Sequence, residues 1–268
     1  MKPWTLCFSC LVAAAAYAQQ TAPAPATGPA TSPATATAPA IDPAVLKILA
    51  DLEAAGNHYR ALRSDLSMEI NDRLTGDSER RTGWVAYQKV SDQEAPRFRV
   101  HFDTLKQGAG PVVKEQLDYA FDGKMLTVAK HRIKDMVRYQ VVAEGETAEP
   151  MRLGKGPFPL PFGQKARDVV EHFQAETRPL EPGGPEGTIY LKLTTRPKHA
   201  EDVEFVEAEL WIDPKTNLPV QLRSRDRNKK VTTAVFDNLR TDVEIDAEKT
   251  FHMPRPMGWT YKVERLEK

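Results

Sequence analysis

Apolar and polar residues alternate with a period of two in about ten segments between residues 64 and 239. In the first segment Leu66, Met68 and Ile70 share one face of a predicted strand, while Ser67 and Glu69 lie on the other. The predicted strands cover residues 64–73, 82–90, 98–102, 116–121, 125–129, 136–142, 188–195, 203–212, 219–225 and 231–239. So many short strands with so few helices predict a mainly β (α+β) fold, built as an incompletely closed antiparallel β-barrel or a strongly curled sheet. A parallel α/β fold is excluded because it would need a helix between most strands.

One long helix is predicted ahead of the strands. Asp42 can cap its start, and Pro43 suits the first turn, where its missing N–H is not needed. One apolar stripe follows at three- and four-residue spacing, formed by Val45, Ile48, Leu52 and Ala55 and widened by Leu49. The helix is expected to fray or end at Gly56-Asn57. A second, short helix is predicted over residues 166–174.

The N-terminus has the pattern of a secretory signal peptide over residues 1–18. Lys2 precedes a short apolar stretch at residues 6–16, and Ala16-Tyr17-Ala18 offers a signal peptidase site, with cleavage near Ala18. The apolar stretch is short for a spanning helix, so a retained anchor is the weaker interpretation. Lipid attachment at Cys10 is also the weaker interpretation, since Cys7 stands where a leucine is usual. Both cysteines lie in this segment, so the mature chain would form no disulfide.

Residues 19–41 are rich in Ala, Pro and Thr and are predicted to be a disordered linker, either a spacer or a leader without a specific role. Residues 42–268 are then one domain. The whole chain has 37 basic and 37 acidic residues. A balance this close to zero argues against nucleic acid as a partner, because phosphate-binding surfaces usually show a basic excess.

Catalytic motifs are not found. The six histidines are scattered, and no serine lies in a nucleophile elbow. His199, Glu201 and Asp202 could bind a metal only with help from a residue distant in the sequence, and a polar loop is the favoured interpretation. We therefore predict a protein that is not an enzyme, with no catalytic residues, no metal and no cofactor.

Residues 154–163 (GKGPFPLPFG) combine three prolines with three large apolar residues. The prolines exclude helix and disfavour internal strand, which predicts an ordered or semi-ordered loop. Phe158, Leu160 and Phe162 either plug one end of the sheet or line the mouth of an apolar cavity.

The order of short motifs along residues 42–266 resembles the LolA/LolB-type periplasmic lipoprotein carriers, and more closely the LolA-like lipoprotein-sorting branch. The motifs are the Leu66/Met68/Ile70 strand, Pro96-Arg97-Phe98-Arg99, YAFDGK from Tyr119, Leu210-Trp211-Ile212-Asp213, Leu218-Pro219-Val220, Phe236-Asp237-Asn238 and Phe251-His252-Met253-Pro254. The resemblance implies an open barrel with short lid helices around an apolar cavity. Phe158, Leu160 and Phe162 would lie at its mouth. The candidate lining residues, each of which could instead be an ordinary core residue, are Leu66, Met68, Ile70, Phe98, Tyr119, Phe121, Leu191, Leu193, Leu210 and Ile212.

The function implied by the resemblance is a periplasmic carrier that shelters lipoprotein acyl chains, or a similar lipid, and transfers them towards the outer membrane. Inner-membrane release proteins and outer-membrane acceptors would be its protein partners, and the carrier itself would be a monomer. Members of the family commonly have an arginine directly before the strand-start proline, where this chain has Ala95. Arg97 and Arg99 are the candidates to replace that lid latch. An envelope-stress sensor and a structural interaction module of the same fold are the alternatives.

Overall fold

The computed structural model describes residues 41–91, 94–141, 153–154, 161–179 and 184–265. The predicted signal peptide and nearly all of the predicted linker lie outside these residues, and so do Phe158 and Leu160. The signal peptide and the linker remain predictions. No helix in the described ranges is long and apolar enough to cross a membrane.

The described residues form one sheet of twelve strands, namely β1 (Ala61–Asp72), β2 (Ser78–Gln88), β3 (Arg97–Gln107), β4 (Val112–Phe121), β5 (Met125–Lys130), β6 (Asp135–Gln140), β7 (Phe173–Thr177), β8 (Ile189–Thr195), β9 (Phe205–Asp213), β10 (Leu218–Asp226), β11 (Lys230–Thr241) and β12 (Thr260–Glu264).

The order of the strands across the sheet is β12-β6-β5-β4-β3-β2-β1-β11-β10-β9-β8-β7. Two runs of sequentially adjacent strands, β1 to β6 and β7 to β11, are joined by the antiparallel pairing of β1 with β11. β12 pairs with β6 in parallel, and the sheet ends at β12 and β7, so it is an open sheet. The prediction of a mainly β fold with an open, curled sheet is confirmed.

Helix α1 (Pro43–His58) begins as predicted. The Asp42 carboxylate accepts a hydrogen bond from the Ala44 amide at 2.8 Å. The helix buries Val45, Leu49, Leu52 and Ala55, which form a stripe close to the predicted one, although Ile48 is only half-buried. It continues past Gly56 to His58, beyond the predicted end. Gly56 packs directly on the backbone of Gly163, where an added Cβ would lie 2.9 Å from the Gly163 Cα.

Strands β7 and β12 were not predicted from the sequence. The predicted helix at residues 166–174 ends at His172 as α2 (Ala166–His172), and Phe173 begins β7. Pairing of Phe173 with Thr195 in β8 therefore overrides the local helical pattern. This change of structure adds an edge strand directly after a helix.

The main core joins buried residues of the sheet with those of α1 and α2, and Phe102, Phe121 and Leu191 are among its fully buried members. The two helices are also tied by the Ala166 amide, which donates to the Glu53 carboxylate at 3.0 Å. A third helix, α3 (Ala247–Phe251), contacts β3.

Candidate functional site

A cavity of about 350 Å³ lies at one end of the sheet, beside the β1–β2 turn and the β10–β11 turn. The volume is at the lower end of the range of small-molecule sites. Strands on both sides of the β1–β11 pairing contribute to it. The lining residues are Met68, Ile70, Glu79, Arg81, Phe102, Leu117, Tyr119, Gly154, Glu204, Phe205, Ser224, Asp226 and Thr232.

The cavity has an apolar part and a charged part. Met68, Ile70, Phe102, Leu117 and Phe205 supply its apolar part. Burial raises the pKa of the Tyr119 phenol, so this side chain is neutral at physiological pH. A ligand with an apolar body and a polar end would match this division.

Arg81 is the most buried charged residue of the lining, with 9% of the residue exposed. Its Nε donates to Glu79 at 2.6 Å and its Nη2 to Glu115 at 3.2 Å. Its Nη1 is buried without a hydrogen-bond partner in the described part of the chain. A buried donor left without an acceptor costs free energy, so a ligand oxygen that reached it would stabilise the complex.

A second, much smaller crevice lies between the helices and the sheet. Its volume is only about 10 Å³, and it is lined mostly by apolar residues, among them Leu49 and Leu52 of α1, Val169 of α2, and Leu193 and Leu210 of the sheet. This is the size of a single water molecule. The two helices are therefore packed closely on this part of the sheet.

The predicted lining residues fall into three groups in the structure. Met68, Ile70 and Tyr119 line the large cavity, while Leu193 and Leu210 line the crevice under the helices. The remaining described members are packed in the core, namely Leu66, Phe98, Phe121, Leu191 and Ile212.

Of the three predicted mouth residues, only Phe162 is described. It is 2% exposed and its ring meets the Phe236 ring edge to face, with centroids 5.1 Å apart. Phe162 is therefore a core residue in this structure.

Several cavity residues were not predicted, above all the charged ones. Arg81 carries a charge that a strand residue usually exposes to solvent, and its buried side chain forms ion pairs with Glu79 and Glu115. Thr232 had a usable signal, because it lies on the same strand face as Ala234 and two residues from it.

The two latch candidates have different surroundings. The Arg97 guanidinium lies 3.8 Å from the Glu94 carboxylate, and the Glu94 side chain is 57% exposed. Arg99 donates from Nε to Asp118 at 2.8 Å and from Nη1 to the Thr250 carbonyl of α3 at 3.2 Å. In this structure Arg99 therefore holds α3, and not α1 or α2, against the sheet.

Asp118 is the centre of a buried polar network around Arg99. Its side chain is 0% exposed and also contacts His101 Nδ1 and His131 Nε2, each at 2.7 Å. Burial alone would raise the pKa of Asp118, but the hydrogen bonds of His101 and Arg99 outweigh it and lower that pKa. The same hydrogen bond raises the pKa of His101. The network therefore contains an ionised carboxylate whose charge is balanced by its neighbours.

No protein-family model and no curated protein matches this chain. Among solved structures, it is similar to an uncharacterized conserved protein of Thermus thermophilus, at 13% identity over 83% of this chain and 99% of that one, with a TM-score of 0.46. It is also similar to a LolA-superfamily protein of Nitrosomonas europaea, at 10% identity over 78% and 97% of the two chains, with a TM-score of 0.36. A third is the MucA/MucB complex of Pseudomonas aeruginosa, at 13% identity over 77% and 60%, with a TM-score of 0.39. At these identities the likeness concerns the fold alone.

Proposed function

We propose that this protein is an exported carrier that holds the acyl chains of lipoproteins, or of a similar lipid, and transfers them towards the outer membrane. The observation that carries the proposal is the open cavity of about 350 Å³, because it combines apolar with charged lining residues and lies within the size range of ligand sites. The motif order along residues 42–266 and the predicted signal peptide support the same function.

The acyl chain would lie against the apolar part of the cavity. Each methylene group removed from water contributes about 0.8 kcal/mol, so even a partly enclosed chain gains several kcal/mol. Met68, Ile70 and Phe205 would form this contact. The polar end of the lipid would remain near Arg81, whose Nη1 can donate to an ester or phosphate oxygen.

Thr232→Trp tests the proposal, because position 232 lies between Ile70 and Ser224 in the sheet register and lines the cavity. The indole would fill part of the void and should weaken uptake of a fluorescent fatty acid at least roughly tenfold. Thr233→Trp is the matched control, since the neighbouring residue lies on the opposite face of the same strand. It should leave uptake unchanged.

Lipid co-purified from an envelope-bearing host, identified by mass spectrometry, should be present with the wild-type chain and depleted with Thr232→Trp. A protein that carries no lipid and takes up no labelled acyl chain would exclude the carrier function. Equal uptake by the two tryptophan variants would place the lipid elsewhere.

The second candidate is an envelope-stress sensor that binds a lipoprotein or a polar peptide without delivering it. The charged lining favours it, because Glu79, Glu204 and Asp226 offer acceptors that an acyl chain does not use. A transfer assay separates the two. A carrier passes labelled lipoprotein to acceptor membranes, whereas a sensor retains it.

A further inference from the structure

Two histidines and an aspartate from separate parts of the chain meet at the β7 edge of the sheet. His172 is the last residue of α2, while His199 ends a short 3-10 turn (Pro197–His199) between β8 and β9, followed closely by Asp202. One ligand atom from each residue lies within 4.8 Å of the other two. The His172 and His199 ring centroids are 4.3 Å apart. His172 is thus the distant residue that a metal site at His199 and Asp202 would require.

The backbone holds these residues in place. Phe173 of β7 pairs with Thr195 of β8. One position further along these strands, the Arg196 amide donates to the His172 carbonyl at 2.9 Å. The Arg196 Nε donates to the Phe173 carbonyl at 3.0 Å. The Asp202 amide in turn donates to the His199 carbonyl at 3.0 Å. All three side chains therefore extend from a hydrogen-bonded frame.

The His172 ring is oriented as a metal ligand would be. Its Nδ1 lies 2.8 Å from the Asp168 carbonyl oxygen, which can only accept, so Nδ1 carries the proton and Nε2 has the lone pair. Metal-bound histidines usually make this kind of contact through their second nitrogen.

His199 and Asp202 already lie at the spacing of two metal ligands. The His199 side chain is 14% exposed, and its Nδ1 lies 3.1 Å from Asp202 Oδ2. A metal ion between these two atoms would replace the proton that they share, so Nδ1 is the candidate ligand atom of His199. The Nε2 atom, which is buried without a hydrogen-bond partner in the described ranges, does not face Asp202.

We infer that His172, His199 and Asp202 form a binding site for a divalent transition metal of the zinc class. Two imidazoles and one carboxylate are a ligand set that suits Zn²⁺ and disfavours Mg²⁺ and Ca²⁺, which prefer oxygen ligands. Ligand atoms about 2.0 Å from a tetrahedral zinc ion are roughly 3.3 Å apart, so the 3.1 Å contact already fits and small ring rotations would close the rest. The fourth position would be taken by water or by an external ligand.

Metal binding would connect the end of α2 to the β8–β9 connection across the sheet edge. That edge strand is short, and a bound metal stabilises whichever state presents the ligands together. The site would be structural with respect to the fold, while its open fourth position would leave it accessible.

The test uses the full chain without a histidine tag, treated with a chelator and then titrated with Zn²⁺ against a chromophoric competitor. Wild type should bind one equivalent, and Co²⁺ should give the intense visible absorption of a tetrahedral site. His199→Gln and Asp202→Asn should each weaken Zn²⁺ binding at least roughly tenfold, since each removes one of three ligands. His172→Gln should weaken binding in the same way. Because His172 is largely buried, that variant could also lose stability, and the test therefore depends on the His199→Gln and Asp202→Asn variants.

Two matched controls accompany these variants. Glu201→Gln removes a neighbouring charge, and His252→Gln removes an exposed histidine elsewhere, so both should bind Zn²⁺ like the wild type. Absence of stoichiometric binding, or equal binding by wild type and the His199→Gln and Asp202→Asn variants, would overturn the inference. An octahedral Co²⁺ spectrum with unchanged affinity in all variants would place the metal at another site.

Discussion

Replacing Asp118 with asparagine should cost about 3–5 kcal/mol of unfolding free energy. The carboxylate is completely buried and receives Arg99 at 2.8 Å and two histidines at 2.7 Å. Asparagine keeps the shape but removes the charge, so the Arg99 guanidinium, itself 18% exposed, loses its counter-ion. Breaking one partner of a buried ion pair typically destabilises a protein by this amount. For a domain of this size the melting temperature should fall by roughly 6–20 °C.

Urea unfolding followed by circular dichroism measures the loss, provided that the slope of free energy against urea is unchanged. Asp103→Asn is the matched control, because Asp103 also contacts His101, at 3.0 Å, but is 50% exposed. An exposed pair contributes at most about 1 kcal/mol. If the two variants lose equal stability, burial does not set the strength of this network and the reasoning is wrong.

The pH dependence of the stability difference between wild type and Asp118→Asn is a further check on the network. The lowered pKa of Asp118 adds stability above the unfolded value of about 3.9, and this is lost as the pH falls through the folded pKa. The raised pKa of His101 adds stability below about 6.5, and this is lost as the pH rises through its folded pKa. The stability difference between wild type and Asp118→Asn should therefore be largest between about pH 4 and 6.5. A difference that does not vary with pH would contradict the assignment.

The remaining predictions concern close packing, each measured by thermal or urea unfolding. Gly83→Ala should lower the free energy of unfolding by about 3 kcal/mol or more, because the new Cβ would lie 1.9 Å from the His101 carbonyl oxygen. Unchanged stability would mean that β2 and β3 separate easily. Gly56→Ala should destabilise the protein by roughly 1–3 kcal/mol although alanine favours helix, because its Cβ would lie 2.9 Å from the Gly163 Cα. A gain in stability would show that the backbone at Gly163 can move away. Phe162→Ala should cost about 3–5 kcal/mol, against less than about 1.5 kcal/mol for Phe162→Leu, and a small loss with alanine would indicate that the Phe162 site is not part of the core.

The sequence predicted the fold well because alternation is a local property. The Leu66, Met68 and Ile70 pattern marks β1 whatever its partners are, and the cap at Asp42 marks α1 in the same way. The sequence failed where pairing decides the structure. Phe173 continues a helical pattern, yet it forms a strand because Thr195 offers a partner that is distant in sequence.

The candidate sites were harder to predict because they depend on contacts between distant residues. Arg81 reads as an exposed base in a strand, and only its contact with Glu115 of β4 explains how it lies buried beside a cavity. His172 and His199 read as scattered histidines until the β7–β8 ladder brings them together. Residue spacing predicts neither the Arg81–Glu115 contact nor the His172–His199 contact, since both depend on how the strands pair in the sheet.

The division between core and cavity follows from what covers each part of the sheet. Leu193 and Leu210 lie under α1 and α2, which fill the space above them to about 10 Å³. Met68 and Ile70 occur in the same alternating pattern, but no residue of α1 or α2 is among those that line the cavity beside them. An apolar strand face that a helix covers becomes core, and one that a helix does not reach needs another apolar partner. The cavity therefore lies against a part of the strand faces to which neither α1 nor α2 contributes a lining residue.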